Sequence, residues 1–157
     1  MIALNHSPVA ATVWFYPSPK DPPLQPAAKR SDTEAAADRL RLLIVEDEIL
    51  VAIDIRSILE ANNYAVVGIA ATAEQAILTA ERERPDLVLL DVRLEGQRDG
   101  VYAATEIRRR FDIPSLFITA NADAAVRERA RAAEPIGFLV KPFTEFALLR
   151  ALSSAAI

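Results

Sequence analysis

The sequence contains no cysteine and only one histidine, His6, and these two shortages exclude several kinds of chemistry. Without cysteine the chain can form no disulfide, no thiol nucleophile and no cysteine metal site, and a reducing compartment is compatible with that composition. His6 lies in a segment for which no rigid scaffold is predicted. We therefore expect no catalytic or phosphotransfer role for it, because such a role needs a positioned side chain.

Long apolar runs and an excess of positive charge are also absent. No apolar stretch reaches the roughly 18 to 20 residues that a membrane span requires. The 18 basic and 22 acidic side chains give a formal net charge of -4, which provides no general attraction to nucleic acid. The first six residues lack the basic region of a secretory signal. We therefore expect a cytoplasmic globular protein that binds neither membranes nor nucleic acid.

Residues 1–40 differ in composition from the remainder of the chain. Six of the ten prolines lie in the first 26 residues, and the four acidic and four basic side chains of this segment cancel. This composition is typical of a flexible tail, so we predict a Pro-rich tail over 1–40 and a folded domain over 41–157. The tail contains an aromatic cluster that fits either a docking peptide, a stray apolar patch or sequence upstream of the true start: Trp14, Phe15 and Tyr16.

From residue 41 onward, short apolar runs alternate with amphipathic stretches. The predicted strands are 42–45, 64–69, 87–90, 114–119 and 136–140, and the predicted helices are 48–61, 73–84, 100–110, 124–133 and 144–154. A strand followed by a helix, five times over, is typical of parallel strands joined by right-handed crossovers. The pattern therefore predicts a doubly wound α/β fold with a five-stranded parallel sheet.

The central predicted strand ends abruptly in a carboxylate. Four consecutive aliphatic residues, Leu87–Leu90, indicate a strand that is buried on both faces, and Asp91 follows directly. Open α/β sheets place their functional residues at the carboxyl ends of their strands. Taken alone, Asp91 also fits a helix cap or a turn residue.

The carboxyl ends of four predicted strands carry side chains whose chemistry is complementary: Glu46, Asp47, Asp91, Thr119 and Lys141. Three neighbouring carboxylates raise one another's pKa unless a cation lies between them, and a set of oxygen ligands suits Mg²⁺. A carboxylate beside a metal, an ammonium and a hydroxyl is suited to accept a phosphoryl group. The alternative for the acidic pair is a simple cap on the following helix.

Four segments resemble the receiver domains of bacterial two-component response regulators: Leu42–Glu48, Leu87–Asp91, Phe117–Ala120 and Gly137–Phe143. They occur in the family's order and spacing, over residues 41 to about 154. The resemblance implies a flavodoxin-like (βα)5 fold with strand order 2-1-3-4-5.

The resemblance also implies a role for each residue at this edge. Asp91 would accept the phosphoryl group from a sensor histidine kinase or a histidine phosphotransfer protein. Mg²⁺ would bind Glu46, Asp47, Asp91 and the backbone carbonyl of Arg93. Thr119 and Lys141 would contact the phosphoryl oxygens, Thr119 and Phe138 would form the switch, and the bond between Lys141 and Pro142 would be cis. The fourth helix, fifth strand and fifth helix would present the surface for a downstream protein.

Three features depart from the common family pattern. Glu95 stands where many receivers have proline, so the path of the loop after Asp91 is open. Phe138 lacks the hydroxyl of the commoner tyrosine, which weakens the expected coupling between the switch and the surface. The fourth helix contains few large apolar residues, so we expect it to be short or mobile.

The sequence disfavours an independent enzyme, and two candidate functions remain. Arg93 stands where a haloacid-dehalogenase-type phosphatase needs a second aspartate, and the chain has neither a dinucleotide nor a Walker phosphate loop. We expect a phosphorylatable switch whose only catalysis is its own phosphoryl transfer and slow self-hydrolysis. The alternative is a pseudo-receiver that binds partners constitutively. Because little sequence follows the fifth helix, we expect a stand-alone receiver that acts through a protein partner rather than DNA, with homodimer formation left open.

Overall fold

The computed structural model describes residues 13–15 and 39–154, and these residues form a single six-stranded sheet with helices on both faces. The strands are β1 Val13–Phe15, β2 Arg41–Val45, β3 Ala65–Ala70, β4 Leu87–Leu90, β5 Ser115–Thr119 and β6 Gly137–Val140. The spatial order is β1-β6-β5-β4-β2-β3. Strands β2 to β6 are parallel, and their order matches the predicted 2-1-3-4-5, so the fold class is confirmed.

Five α-helices connect or follow the parallel strands. They are α1 Ile49–Ala61, α2 Ala73–Glu83, α3 Gly100–Phe111, α4 Ala124–Ala130 and α5 Glu145–Ser154. Side-chain oxygens of Thr72, Asp99 and Asp123 accept hydrogen bonds from backbone N–H groups in the first turns of α2, α3 and α4. These caps fix where the three helices begin, since the first N–H groups of a helix have no partner within it.

Helix α4 is short, as the sequence suggested. Its α-helical part has seven residues, and the chain continues as one 3-10 turn over Arg131–Ala133 rather than as the α-helix predicted to residue 133. Only Ala130 of α4 is buried, so little apolar burial is available to extend the regular helix.

The core consists of two apolar layers, one on each face of the sheet. Successive residues of β4 alternate between them: Val88 and Leu90 pack with α2 and α3, whereas Leu87 and Leu89 pack with α1 and α5. All four side chains are at most 1% exposed. A strand that is covered on both faces explains why the run is uniformly aliphatic.

Strand β1 was not predicted, because Val13–Phe15 lie inside the segment taken as a tail. The strand pairs antiparallel with β6, in the register Val13 with Leu139, Trp14 with Phe138 and Phe15 with Gly137. Most of the predicted tail, residues 1–12 and 16–38, lies outside the described residues, and His6 and Tyr16 lie there too. Within the described residues, no helix is long and apolar enough to cross a membrane.

We predict that Leu89→Ala lowers the free energy of unfolding by about 2–5 kcal/mol, because it leaves a cavity beneath the centre of the sheet. Leu89 is 1% exposed, whereas Leu78 is 63% exposed and serves as the matched control. Leu78→Ala should change the free energy of unfolding by no more than about 0.5 kcal/mol. Urea denaturation of both variants measures the difference, and equal losses would contradict the two-layer core.

Candidate functional site

The candidate site lies at the carboxyl edge of the four neighbouring strands β2, β4, β5 and β6. In the parallel register Val45 lies opposite Leu90, and Thr119 lies opposite Val140. The residues that follow β2, β4 and β6 are Glu46, Asp91 and Lys141. Strand register therefore brings to one edge residues that are separated by up to 95 positions in the sequence.

Lys141 joins the two carboxylates that precede α1 and follow β4. Its Nζ donates one hydrogen bond of 2.7 Å to Glu46 Oε2 and another of 2.7 Å to Asp91 Oδ2. The side chains of Glu46 and Asp91 are only 3% and 11% exposed, whereas that of Lys141 is 22% exposed. Two poorly hydrated carboxylates thus converge on one ammonium group that is open to solvent on one side.

Burial and charge act against each other at this site. Burial raises the pKa of Glu46 above its usual value, although the hydrogen bond from Lys141 pulls it down. Burial lowers the pKa of Lys141, but its hydrogen bonds to Asp91 and Glu46 outweigh that effect, so the net shift is upward. Lys141 is therefore protonated at neutral pH, whereas burial opposes the ionisation of Glu46 and Lys141 favours it.

Two hydrogen bonds hold Asp91 in place, one through its backbone and one through its side chain. Its N–H donates to the carbonyl of Val45 at 2.9 Å, and its Oδ1 accepts from the N–H of Arg93 at 3.0 Å. These contacts anchor one carboxylate oxygen to the loop and leave Oδ2 on Lys141. The Asp91 side chain consequently has a fixed orientation.

Gly100 brings the start of α3 against the carbonyl of Asp91. Its N–H donates to the carbonyl of Val92 at 2.8 Å, and a Cβ at this position would lie 1.8 Å from the carbonyl oxygen of Asp91. No side chain fits there, because the obstacle is backbone rather than a movable side chain. The sequence predicted Gly100 only as the start of a helix and gave no sign of this close approach.

Asp99 makes two contacts that were not predicted from the sequence. Its Oδ1 accepts from the N–H of Tyr102 at 3.0 Å and caps α3, and its Oδ2 pairs with Arg129 of α4. One side chain therefore ties the loop after Asp91 to the helix that follows β5. The Asp-Gly pair at the end of a polar loop was the available signal.

The other predicted site residues contact Glu46, Asp91 and Lys141 less directly. Asp47 is exposed, and no ion pair in the described chain joins it to Lys141. Thr119 is 2% exposed, and its Oγ1 accepts one long hydrogen bond of 3.5 Å from Asn121 N–H. Phe138 is fully buried and stacks on Phe117, with 5.0 Å between the ring centroids.

The peptide bond between Lys141 and Pro142 is cis. It lies directly after β6, where the chain leaves the sheet and passes into the segment before α5.

The donor set at this edge fits a hard cation. Glu46 and Asp91 already direct one oxygen each at the ammonium of Lys141, and burial of Glu46 favours a cation beside it. Carboxylate and carbonyl oxygens are the ligands that Mg²⁺ prefers. Over residues 13–15 and 39–154, no three acidic or histidine side chains lie close enough together to form a metal site by themselves. Loop oxygens and waters would complete the coordination, as is usual for Mg²⁺.

Comparison with known proteins gives consistent matches. The sequence model for the response regulator receiver domain matches residues 42–153. Transcriptional regulatory protein PdtaR of Mycobacterium tuberculosis is 39% identical over 125 residues, which cover 80% of this chain and 60% of PdtaR. The phyllosphere-induced regulator PhyR of Methylorubrum extorquens is 35% identical over 113 residues, which cover 70% of this chain and 41% of PhyR. The chain thus spans less than two thirds of either relative.

A solved structure shares the fold. The signal receiver domain of a modulated diguanylate cyclase from Desulfovibrio desulfuricans G20 is similar, with a TM-score of 0.71 and 36% identity. The similarity covers 76% of this chain and 94% of that domain.

We predict that Gly100→Ala lowers the free energy of unfolding by about 3 kcal/mol or more, since the added Cβ meets backbone atoms. Gly96→Ala is the comparison, because its Cβ would enter open space but at a φ of +107°. That variant should lose only about 1–2 kcal/mol through backbone strain. Chemical denaturation measures both losses, and a smaller loss for Gly100→Ala would contradict the close approach.

We also predict that Lys141→Met destabilises the protein by about 3 kcal/mol at neutral pH, because it strands two poorly hydrated carboxylates. The double variant Glu46→Gln with Lys141→Met should recover at least about 1 kcal/mol of that loss, since one stranded charge is gone. Denaturation of the two single variants and the double variant gives the coupling. Strictly additive losses would show that the ion pair has no energetic role.

Proposed function

This chain belongs to the response regulator receiver domain family, and we propose that it is a phosphorylatable switch with Asp91 as the phosphoacceptor. The observation that carries the proposal is the placement of Asp91 Oδ2 2.7 Å from Lys141 Nζ, with Glu46 on the same ammonium. Such an arrangement pairs a fixed carboxylate nucleophile with a positive charge at the point where phosphoryl oxygens must bind.

The proposed reaction transfers a phosphoryl group from a phosphohistidine on a histidine kinase or a histidine phosphotransfer protein. A carboxylate oxygen of Asp91 forms the new O–P bond as the P–N bond to the donor imidazole breaks, and the imidazole retains the electron pair. Lys141 then exchanges a carboxylate contact for a phosphoryl oxygen. The hydroxyl of Thr119, at the end of the neighbouring strand β5, would donate a hydrogen bond to another.

Mg²⁺ is the proposed cofactor. Glu46, Asp47, Asp91 and the backbone carbonyl of Arg93 would hold it, and it would neutralise charge on the transferring group. In this arrangement Lys141 and the metal share the carboxylates. The exposed position of Asp47 would leave it available to bind the metal directly or through water.

An exposed apolar surface beside the site supports a protein as the phosphoryl donor. Ile49, Leu50 and Ile53 of α1 are 59%, 73% and 49% exposed. Residues three and four apart on a helix are neighbours, so the three side chains form one patch shortly after Glu46. Exposed apolar patches of this kind favour protein contacts. A small-molecule donor alone would not need them.

A constitutive pseudo-receiver is the second candidate function. Phe138 is 0% exposed, stacks on Phe117 and has no hydroxyl that could link the site to the surface. That observation favours a surface on α4, β6 and α5 that is fixed rather than switched. The downstream protein partner, the homodimer and the cytoplasmic location stay predictions for either function.

We predict that acetyl phosphate with Mg²⁺ adds one phosphoryl group, about 80 Da, to Asp91. Asp91→Asn should abolish the adduct, and removal of Mg²⁺ with EDTA should suppress it. Asp86→Asn is the matched control, because Asp86 is exposed and its side chain accepts a hydrogen bond from Arg41 N–H. Intact-protein and peptide mass spectrometry locate the adduct. Absence of an adduct with acetyl phosphate and with a phosphorylated histidine phosphotransfer protein would favour the pseudo-receiver.

A further inference from the structure

The edge of strand β6 that faces away from β5 lacks the sequence features that usually protect an exposed strand edge. Among the parallel strands it pairs only with β5, and its residues Gly137–Val140 include no charge and no proline. Residues 137–139 are buried, and Val140 is half-buried. Natural sheets usually protect such edges with lysine, proline or bulges, because unpaired N–H and C=O groups recruit another strand.

In this chain a segment of its own pairs with that edge. Three consecutive residues of β1 lie opposite three consecutive residues of β6, in antiparallel register. The segment lies outside residues 42–153, the part that matches the receiver family, so it is an addition to the shared fold. Valine and two aromatic residues are also the types that strands favour.

We propose that residues 13–15 act as a built-in edge cover, which occupies β6 within the same molecule and prevents a second copy of the chain from pairing there. Antiparallel pairing of β6 with β6 of another copy is self-complementary, as a twofold dimer requires. The cover and the second copy would use the same backbone groups. Only one of them can bind at a time.

Competition for the edge of β6 also concerns the candidate site, because β6 ends directly before Lys141. Its next residue is Lys141, which bonds Glu46 and Asp91, and its second residue is the buried Phe138. The strand that pairs with β1 therefore leads directly into the residue that carries the site's ammonium group. The edge-cover proposal itself depends only on strand pairing and stands whether or not Asp91 is phosphorylated.

Trp14→Pro in the full chain tests the edge cover. Proline has no N–H and holds φ near −65°, away from the φ of about −140° in antiparallel strands, so it disfavours pairing at the central residue of β1. Trp14→Val is the matched control, since it keeps the N–H and a high strand propensity. Hydrogen exchange is followed on the β6 amides by mass spectrometry at low and high protein concentration, with β4 amides as the internal reference for global folding.

We expect the wild-type chain and Trp14→Val to protect β6 equally at all concentrations. In dilute Trp14→Pro, the β6 amides that face β1 should exchange at least about tenfold faster, with β4 unchanged. Light scattering should then show a concentration-dependent dimer for Trp14→Pro alone, with β6 protection restored in the dimer. Unchanged β6 exchange in Trp14→Pro, a monomer at all concentrations, or wild-type protection that vanishes on dilution would each overturn the proposal.

Discussion

The pairing of one ammonium group with two poorly hydrated carboxylates is the constraint on which the candidate site depends. Glu46 and Asp91 would repel each other at the edge of the sheet without Lys141 between them. The three residues come from three strands, so the ion pair forms only when those strands share one parallel register. The two-layer core supplies that register, which makes the electrostatics of the site a consequence of apolar packing.

A second constraint is steric and acts on the backbone. The start of α3 lies so close to the carbonyl of Asp91 that position 100 has no space for a Cβ. Asp99, its neighbour, caps α3 and pairs with Arg129 of α4. The loop after Asp91 is thus held at its far end by one close contact and one ion pair. Together they limit the positions that the Asp91 carboxylate can adopt.

The sequence predicted the parallel sheet and the edge residues because two local signals agreed. Uniform aliphatic runs indicated the buried strands. Because parallel α/β sheets place functional residues at the carboxyl ends of their strands, Glu46, Asp91 and Lys141 were then expected at one edge. The close approach at Gly100 was not predictable in this way, since it depends on the distance between two backbones. Val13–Phe15 also carried no decisive signal, because an edge for them to pair with exists only after the rest of the chain has folded.

Strand β6 connects the interior of the site to the surface of the molecule. Lys141, which follows β6, donates hydrogen bonds to Glu46 and Asp91. Phe138 within β6 stacks on Phe117 of β5, and the opposite edge of β6 pairs with β1. A shift of β6 would alter all three contacts together, because a strand moves as a unit. A phenylalanine that is already buried provides no hydroxyl by which the surface could sense the site. Backbone pairing along β6 instead connects the strand that precedes Lys141 to β1 at the edge of the sheet.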